Sequence, residues 1–377
     1  MYRLIFLGAG FSKPAGLPLG SDLFNDIRNL IRNNYGPDSI FEYDLNRYIQ
    51  YIKKCENQNI VIDQINYEDF LNFLDFEHYL GLKGKDTWSS EGNESQLMVR
   101  NAIGKILYQR TPKTPPDLYK KFVKQLSSTD WIFTFNYDTL LENTLESEGI
   151  PYRLYPYRYS KINWDDSAIV DNTYNELVVI KLHGSIDWFD KRTYDERLIY
   201  SKKCPIPYIP QHSIFGPNRI VNPLPIVEGP RPISDSLNSI FKVKDISNLV
   251  NKNFLEYCPL ILNPSSTKYL YFQPLKEFWW GLQQAGGLNL SICIVGYSLP
   301  YYDKYVRQLF YNIFTSFTNY EPDLKLAGQQ KTKIKILDFS SDKRAKIKFK
   351  KQYQFAVKDK VEYCFEGLNE NSIDWLF

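Results

Sequence analysis

The chain has 377 residues, 43% of them hydrophobic, and 46 Lys and Arg against 43 Asp and Glu, a net charge of +3; it can bury a large core, which excludes disordered and fibrous classes, and its near-balanced charge gives no reason to expect nucleic acid as a direct ligand. Its five cysteines stand alone at positions 55, 204, 258, 293 and 364, with no C-x-x-C pair for zinc or dithiol chemistry and an odd count that argues against a disulfide framework. No stretch approaches the roughly 18 apolar residues of a membrane span and residues 1–10 hold no basic, cleavable leader, so the expectation is a soluble cytoplasmic protein.

In chain order, residues 2–7 read as an apolar strand, interrupted by Arg3, that runs into Gly8-Ala9-Gly10. A helix follows from about Asp22, with Leu23, Phe24, Ile27, Leu30 and Ile31 on one face and Ser21 or Asp22 as its cap. Residues 36–116 read as a largely helical insertion with polar loops, including a helix over 68–80. Next come a helix over 118–126, a strand over 131–135 ending in Asn136-Tyr137-Asp138, a helix over 139–146, and a strand over 177–182 ending in His183-Gly184-Ser185. Residues 186–257 read as a second, loop-rich insertion, with prolines at 205, 207, 210, 217, 223, 225, 230 and 232. Beyond it lie a short strand over 260–262, a helix over 275–285, a strand over 290–295 emptying into Gly296-Tyr297-Ser298, a helix over 303–317 and a strand over 333–339. Residues 343–377 form a C-terminal basic and edge segment whose run Lys343, Arg344, Lys346, Lys348, Lys350 and Lys351 reads as a solvated face. Short apolar strands separated by helices predict an α/β fold, a Rossmann-like parallel sheet wrapped by helices, with the two insertions building a helical and loop-rich second lobe and no zinc module.

Glycines 8 and 10 at a strand end let backbone approach a ligand, and a following helix N-terminus suits a diphosphate. The dehydrogenase fingerprint G-x-G-x-x-G is broken by Lys13, and Gly84-Lys85 and Gly104-Lys105 lack the Ser or Thr of a P-loop, so hydride transfer and P-loop hydrolysis are both disfavoured. Ligands of open parallel sheets bind beyond the carboxyl ends of the strands, so Asn136, Asp138 and His183 converge on the crevice lined by the glycine turn. Of three histidines, His78 lies in a helical pattern and His212 in the proline-rich stretch, which leaves His183 as the best-placed base. Taken singly, each of these features has a plain structural explanation: a tight turn at Gly8, a helix cap at Asn136 or Asp138, a hydrogen-bonded histidine, a serine in a strand-to-helix turn at Ser298.

Taken in order, Gly8-Ala-Gly-Phe-Ser-Lys-Pro-Ala-Gly-Leu-Pro18, Thr134-Phe-Asn-Tyr-Asp138, His183-Gly184 and Gly296-Tyr-Ser-Leu-Pro300 resemble the NAD-binding and catalytic motifs of sirtuins. The stretch 260–268, with the helix holding Trp279 and Trp280, further resembles the sirtuin-like NAD-hydrolase domains of bacterial anti-phage defence systems. The resemblance runs from Leu4 to about Asp342 and implies one sirtuin-like domain over residues 1–377. It implies that Gly8, Ala9, Gly10, Phe11 and Ser12 bind the NAD diphosphate and that Asn136 and Asp138 sit in the nicotinamide-ribose pocket. It makes His183 the catalytic base, gives Gly296, Tyr297 and Ser298 the adenosine side, and puts Asp338 and Ser340 near the adenosine. The chain departs from the deacylases in lacking their four-cysteine zinc module, in reading Leu19-Gly20-Ser21-Asp22 where they have Asp-Phe-Arg, and in having Phe135 in place of Gln.

The expected activity is therefore hydrolysis of the nicotinamide-ribose bond of NAD, with Asn136, Asp138 and His183 as catalytic residues, NAD as substrate and no metal. Alternatives are an NAD-dependent protein deacylase, an ADP-ribosyltransferase, or a non-catalytic binder of NAD or ADP-ribose. Unrestrained NAD loss would kill a host, and the chain closes near Phe377 without room for a sensor domain. Control is thus expected in trans, through homo-oligomerisation and a co-encoded partner that the resemblance makes a HerA-type ATPase or, second, a short Argonaute.

Overall fold

The computed structural model describes residues 3–62, 65–82, 92–171, 173, 175–203, 213–252, 257–262, 273–279, 286–320 and 330–377. A seven-stranded sheet forms its centre, in the order β12-β11-β10-β1-β2-β6-β3, and every pair in it is parallel. These strands are β1 (Arg3–Leu7), β2 (Trp131–Thr134), β3 (Tyr152–Arg153), β6 (Leu177–Lys181), β10 (Ser291–Val295), β11 (Ile334–Leu337) and β12 (Val361–Cys364). Ile5, Phe6, Ile132, Phe133, Val179, Ile292 and Ile294 are shut off from solvent, as expected of strands covered on both faces.

The register aligns the strand ends. Leu7 pairs with Thr134 and Val295, Thr134 with Lys181, and Val295 with Leu337. The residues that follow this row, Gly8, Phe135, Leu182, Gly296 and Asp338, therefore leave the sheet along one edge.

The helices among the described residues are α1 (Ala9–Ser12), α2 (Gly20–Tyr35), α3 (Ile40–Cys55), α4 (Tyr67–Tyr79), α5 (Glu94–Arg110), α6 (Asp117–Lys124), α7 (Leu140–Ser147), α8 (Arg192–Ser201), α9 (Ser247–Val250), α10 (Gln273–Trp279), α11 (Lys304–Asn319), α12 (Lys343–Gln352) and α13 (Glu370–Leu376). Within the helical insertion, Phe24 of α2, Phe41 and Tyr48 of α3 and Phe70 of α4 pack ring against ring. Their apolar side chains join the same continuous core as the sheet. Helix α5 opens with a reciprocal cap, Asn93 accepting from the Gln96 amide and Gln96 from the Asn93 amide.

Several expectations change. Helix α2 starts at Gly20 with Leu19 at its N-cap, so neither Ser21 nor Asp22 is the cap residue; Asp22 falls in the first turn, where its charge suits the helix dipole, 3.1 Å from Lys13 Nζ. Residues 260–262 form no strand: Ile261 makes an isolated bridge to Gly184, and Leu262 N–H donates to the His183 carbonyl at 2.9 Å, so this segment lies over the His183 turn instead of joining the sheet. The proline-rich insertion carries an antiparallel three-stranded sheet of β7 (Trp188–Asp190), β9 (Ile240–Val243) and β8 (Pro223–Pro225); the two prolines lie on its edge strand, where a missing N–H is tolerated. A hairpin of β4 (Tyr159–Ile162) and β5 (Ala168–Val170) precedes β6. The positions His212, Cys204, Pro205, Pro207, Pro210 and Trp280 lie outside the described residues.

Candidate active site

A cavity of about 1040 Å³ opens at the carboxyl edge of the sheet. It is lined by Ala9, Gly10 and Ser12 after β1, Asn136 and Asp138 after β2, His183 after β6, Gly296, Tyr297 and Ser298 after β10, and Asp338 after β11. Five separate strand ends thus bring expected residues to one space. Phe11 is an exception: its ring is buried against Tyr119 and Phe122 in the core, and its amide donates to the Gly8 carbonyl at 2.9 Å. Gly8 and Ser340 do not line the cavity; the Ser340 hydroxyl donates to the Asp342 carbonyl at 3.2 Å.

The glycines have a reason beyond ligand approach. A Cβ on Gly8 would lie 2.6 Å from the Gly296 carbonyl oxygen, and one on Gly10 would lie 2.7 Å from the Gly296 Cα. Gly296 itself has φ +64°. The loops after β1 and β10 cross in direct backbone contact, sealed by a 2.8 Å bond from Gly10 N–H to the Gly296 carbonyl, and only glycine leaves room. Two amides of the turn, Gly10 and Phe11, are consequently already engaged within the protein.

Asn136 ties this crossing to β2. Its Nδ2 donates to the Gly8 carbonyl at 2.9 Å and to Ser12 Oγ at 3.1 Å. Asp138 Oδ1 accepts the Leu140 amide at 3.0 Å at the start of α7. Burial pushes the Asp138 carboxyl above its ordinary range, opposed by the Lys181 charge and the Leu140 amide. Lys181, shut off from solvent, donates to the Asp138 carbonyl at 2.5 Å and to Glu142 Oε1 at 2.6 Å.

His183 sits against aromatic rings, 5.2 Å from Phe135 and 6.3 Å from Tyr137 between centroids. Phe135 in turn stacks on Tyr297 at 4.2 Å. His183 Nε2 lies 3.4 Å from Asp303 Oδ2, which also accepts the Tyr297 hydroxyl at 2.8 Å. Burial and the Asp303 carboxylate raise the Tyr297 phenol well above its ordinary value. The sequence reading missed Asp303, and it missed Glu68, which lines the cavity from α4 and accepts from the Tyr67 hydroxyl at 3.2 Å. Neither sits at a strand end; the local signal in each case is an acidic residue beside a tyrosine.

At the other end of the cavity, burial raises the Asp338 carboxyl to about 6, offset by the Phe339 amide. Phe339, Glu366, Gly367 and Leu368 line the same end. Among the described residues there is no group of three His, Cys, Asp or Glu side chains able to hold a metal ion, and no helix long and apolar enough to cross a membrane.

Residues 130–205 match the family model described as SIR2-like domain. The chain carries a SIR2-like segment. That segment holds β2, β6, Asn136, Asp138 and His183, and the register given above joins it to the glycine turn and the Gly296 loop. Among solved structures, similarity extends to "The Structural basis of Sirtuin Substrate Affinity", at 13% identity over 100% of this chain and 92% of that one, with a TM-score of 0.36. Two more are Sir2Tm bound to a propionylated peptide (12% identity, 99% and 90% covered, TM-score 0.33) and a Sir2-p53 peptide-NAD+ complex (13%, 99% and 90%, 0.34). Likeness of that degree speaks to neither substrate nor reaction. No curated protein sequence matches the chain.

Proposed function

We propose that the protein hydrolyses NAD to nicotinamide and ADP-ribose. The observation that carries this reading is that Asn136 and His183 line one cavity with Ala9, Gly10, Ser12 and the loop 296–298. At about 1040 Å³ the space is at the upper end of small-ligand sites, as an extended dinucleotide requires. The SIR2-like match over the segment that holds both residues supports NAD as the ligand.

The transition state is oxocarbenium-like: the C1′–nicotinamide bond breaks, its electron pair neutralises the departing pyridinium nitrogen, and positive charge grows on the ribose. Water adds at C1′ and its proton passes to His183, a base suited to neutral pH that typically contributes about 10²- to 10⁴-fold in rate. Asn136 orients the ribose or the water while its amide holds the glycine crossing. Asp138, bound to the Leu140 amide, fixes the turn that carries Asn136.

By resemblance, the activity serves anti-phage defence through NAD depletion in the cytoplasm. It is gated by homo-oligomerisation or by a co-encoded partner such as a HerA-type ATPase or a short Argonaute. The test is nicotinamide release from NAD by the purified protein, alone and with its co-encoded neighbours. His183→Ala and Asn136→Ala each remove at least 100-fold of the rate while circular dichroism stays unchanged. Absence of nicotinamide under every condition overturns the reading.

A further inference from the structure

The loop that returns from β10 to α11 is arranged around a side chain the sequence reading left out. Asp303 occupies the N-cap position of α11, where an aspartate ordinarily accepts a first-turn amide. Here its side chain caps nothing. The carboxylate has no solvent exposure and turns inward, where Oδ2 meets His183 Nε2 at 3.4 Å and the Tyr297 hydroxyl at 2.8 Å. The same loop holds Leu299 in the left-handed region at φ +52°, its carbonyl fixed by Arg307 Nη1 at 3.0 Å. An uncapped helix, a buried carboxylate and a left-handed leucine are three separate costs, and all of them lead to one contact with the imidazole.

We propose that Asp303 is a positioning residue for His183: it accepts the Nε2–H hydrogen bond, fixes the neutral ring in that tautomer, and leaves Nδ1 as the nitrogen that receives a proton. The kinetic part of this inference rests on the hydrolase reading; the structural part does not. In the hydrolytic step the oxygen of water bonds to C1′ as nicotinamide departs, and the proton of that water goes to Nδ1. The imidazolium then faces the Asp303 charge across the Nε2–H bond, which lowers the energy of a cation formed inside an aromatic surround. Tyr297 supplies Asp303 with a donor that carries no charge, so the carboxylate stays solvated by the protein and its charge stays directed at the ring. The other titratable groups around the cavity are Lys13, Glu68 from α4, Asp138 with Lys181 behind it, Asp338 and Glu366 at the far end, and the phenols of Tyr67, Tyr137 and Tyr302. All of these remain in an Asp303 variant, so a change reports Asp303.

Asp303→Asn separates a positioning role from a helix-cap role, because asparagine caps a helix about as well as aspartate. Nitrogen-15 NMR of the imidazoles, of which the chain has three, gives the tautomer and titration of His183 without any substrate. The wild type shows the Nε2–H tautomer, and His183 in Asp303→Asn titrates about one pH unit lower, the least expected on losing an adjacent opposite charge. In the nicotinamide-release assay the variant loses at least tenfold in kcat at pH 7, keeps KM within threefold, and shows an acid limb displaced downward by the same unit. An Nδ1–H tautomer in the wild type, or an unchanged titration in a folded variant, overturns the proposal. If the variant does not fold, the wild-type tautomer decides alone. A protein that never releases nicotinamide but has the Nε2–H tautomer and the displaced titration sinks the hydrolase reading and leaves the Asp303–His183 pair standing.

Discussion

Lys181 is a lysine at the last position of a central strand, enclosed between Glu142 and the Asp138 carbonyl. Glu142 Oε2 is buried without a hydrogen-bond partner, so the pair is only partly satisfied and removing one member leaves a bare buried charge. Lys181→Met should cost about 3–5 kcal/mol by urea denaturation, and adding Glu142→Leu should recover most of it. The double variant still lacks the bond to the Asp138 carbonyl, so its kcat should fall although most of its stability is restored. Asp338 behaves oppositely. Its folded pKa of about 6 lies above the unfolded value of about 4. Its contribution is fully present below pH ~4 and is lost as pH rises through 6. Asp338→Asn should therefore raise the stability of the free protein at pH 7.5 by about 1 kcal/mol after solvent screening, with the gain vanishing near pH 4. An equal gain at both pH values would contradict the raised pKa. The residues read from the sequence were strand-end groups, whose address follows from chain order. Asp303 and Lys181 were not legible because their importance depends on which way a buried side chain turns.

Helix α4 shows what an insertion adds. The chain between β1 and β2 was read as a helical addition to the fold, yet it delivers Glu68 to the cavity beside Tyr67, whose phenol is raised well above its ordinary value by burial and by the Glu68 charge. On the proposed hydrolase reading, a carboxylate lining this cavity would favour positive charge on the ribose. Glu68→Gln should lower kcat for nicotinamide release by about 10-fold or more with the helix intact, and unchanged kinetics would make Glu68 a bystander. Helical periodicity located α4 to within one residue of each boundary, because its apolar face is wide and its cap Asn66 accepts the Glu68 amide. Strands β7 to β9 escaped because two prolines on an edge strand look like loop, and β12 escaped because Val-Glu-Tyr-Cys follows a lysine-rich helix and only its Val361 is buried.

At the scale of the molecule, one continuous core and one aligned row of strand ends make the site. The order of strands in the sheet could not be read from spacing alone, since β1 lies between β2 and β10, nearly 160 residues apart along the chain. What could be read was that buried parallel strands expose their carboxyl ends to a common crevice, and this is where Asn136, His183 and Gly296 meet. The most direct measurement is product analysis after incubation of the protein with NAD in ¹⁸O-water, with its co-encoded neighbours present. Free nicotinamide and ADP-ribose carrying one ¹⁸O should form with the wild type and not with His183→Ala. Intact NAD, ADP-ribose attached to protein, or equal turnover by His183→Ala would contradict hydrolysis at this cavity.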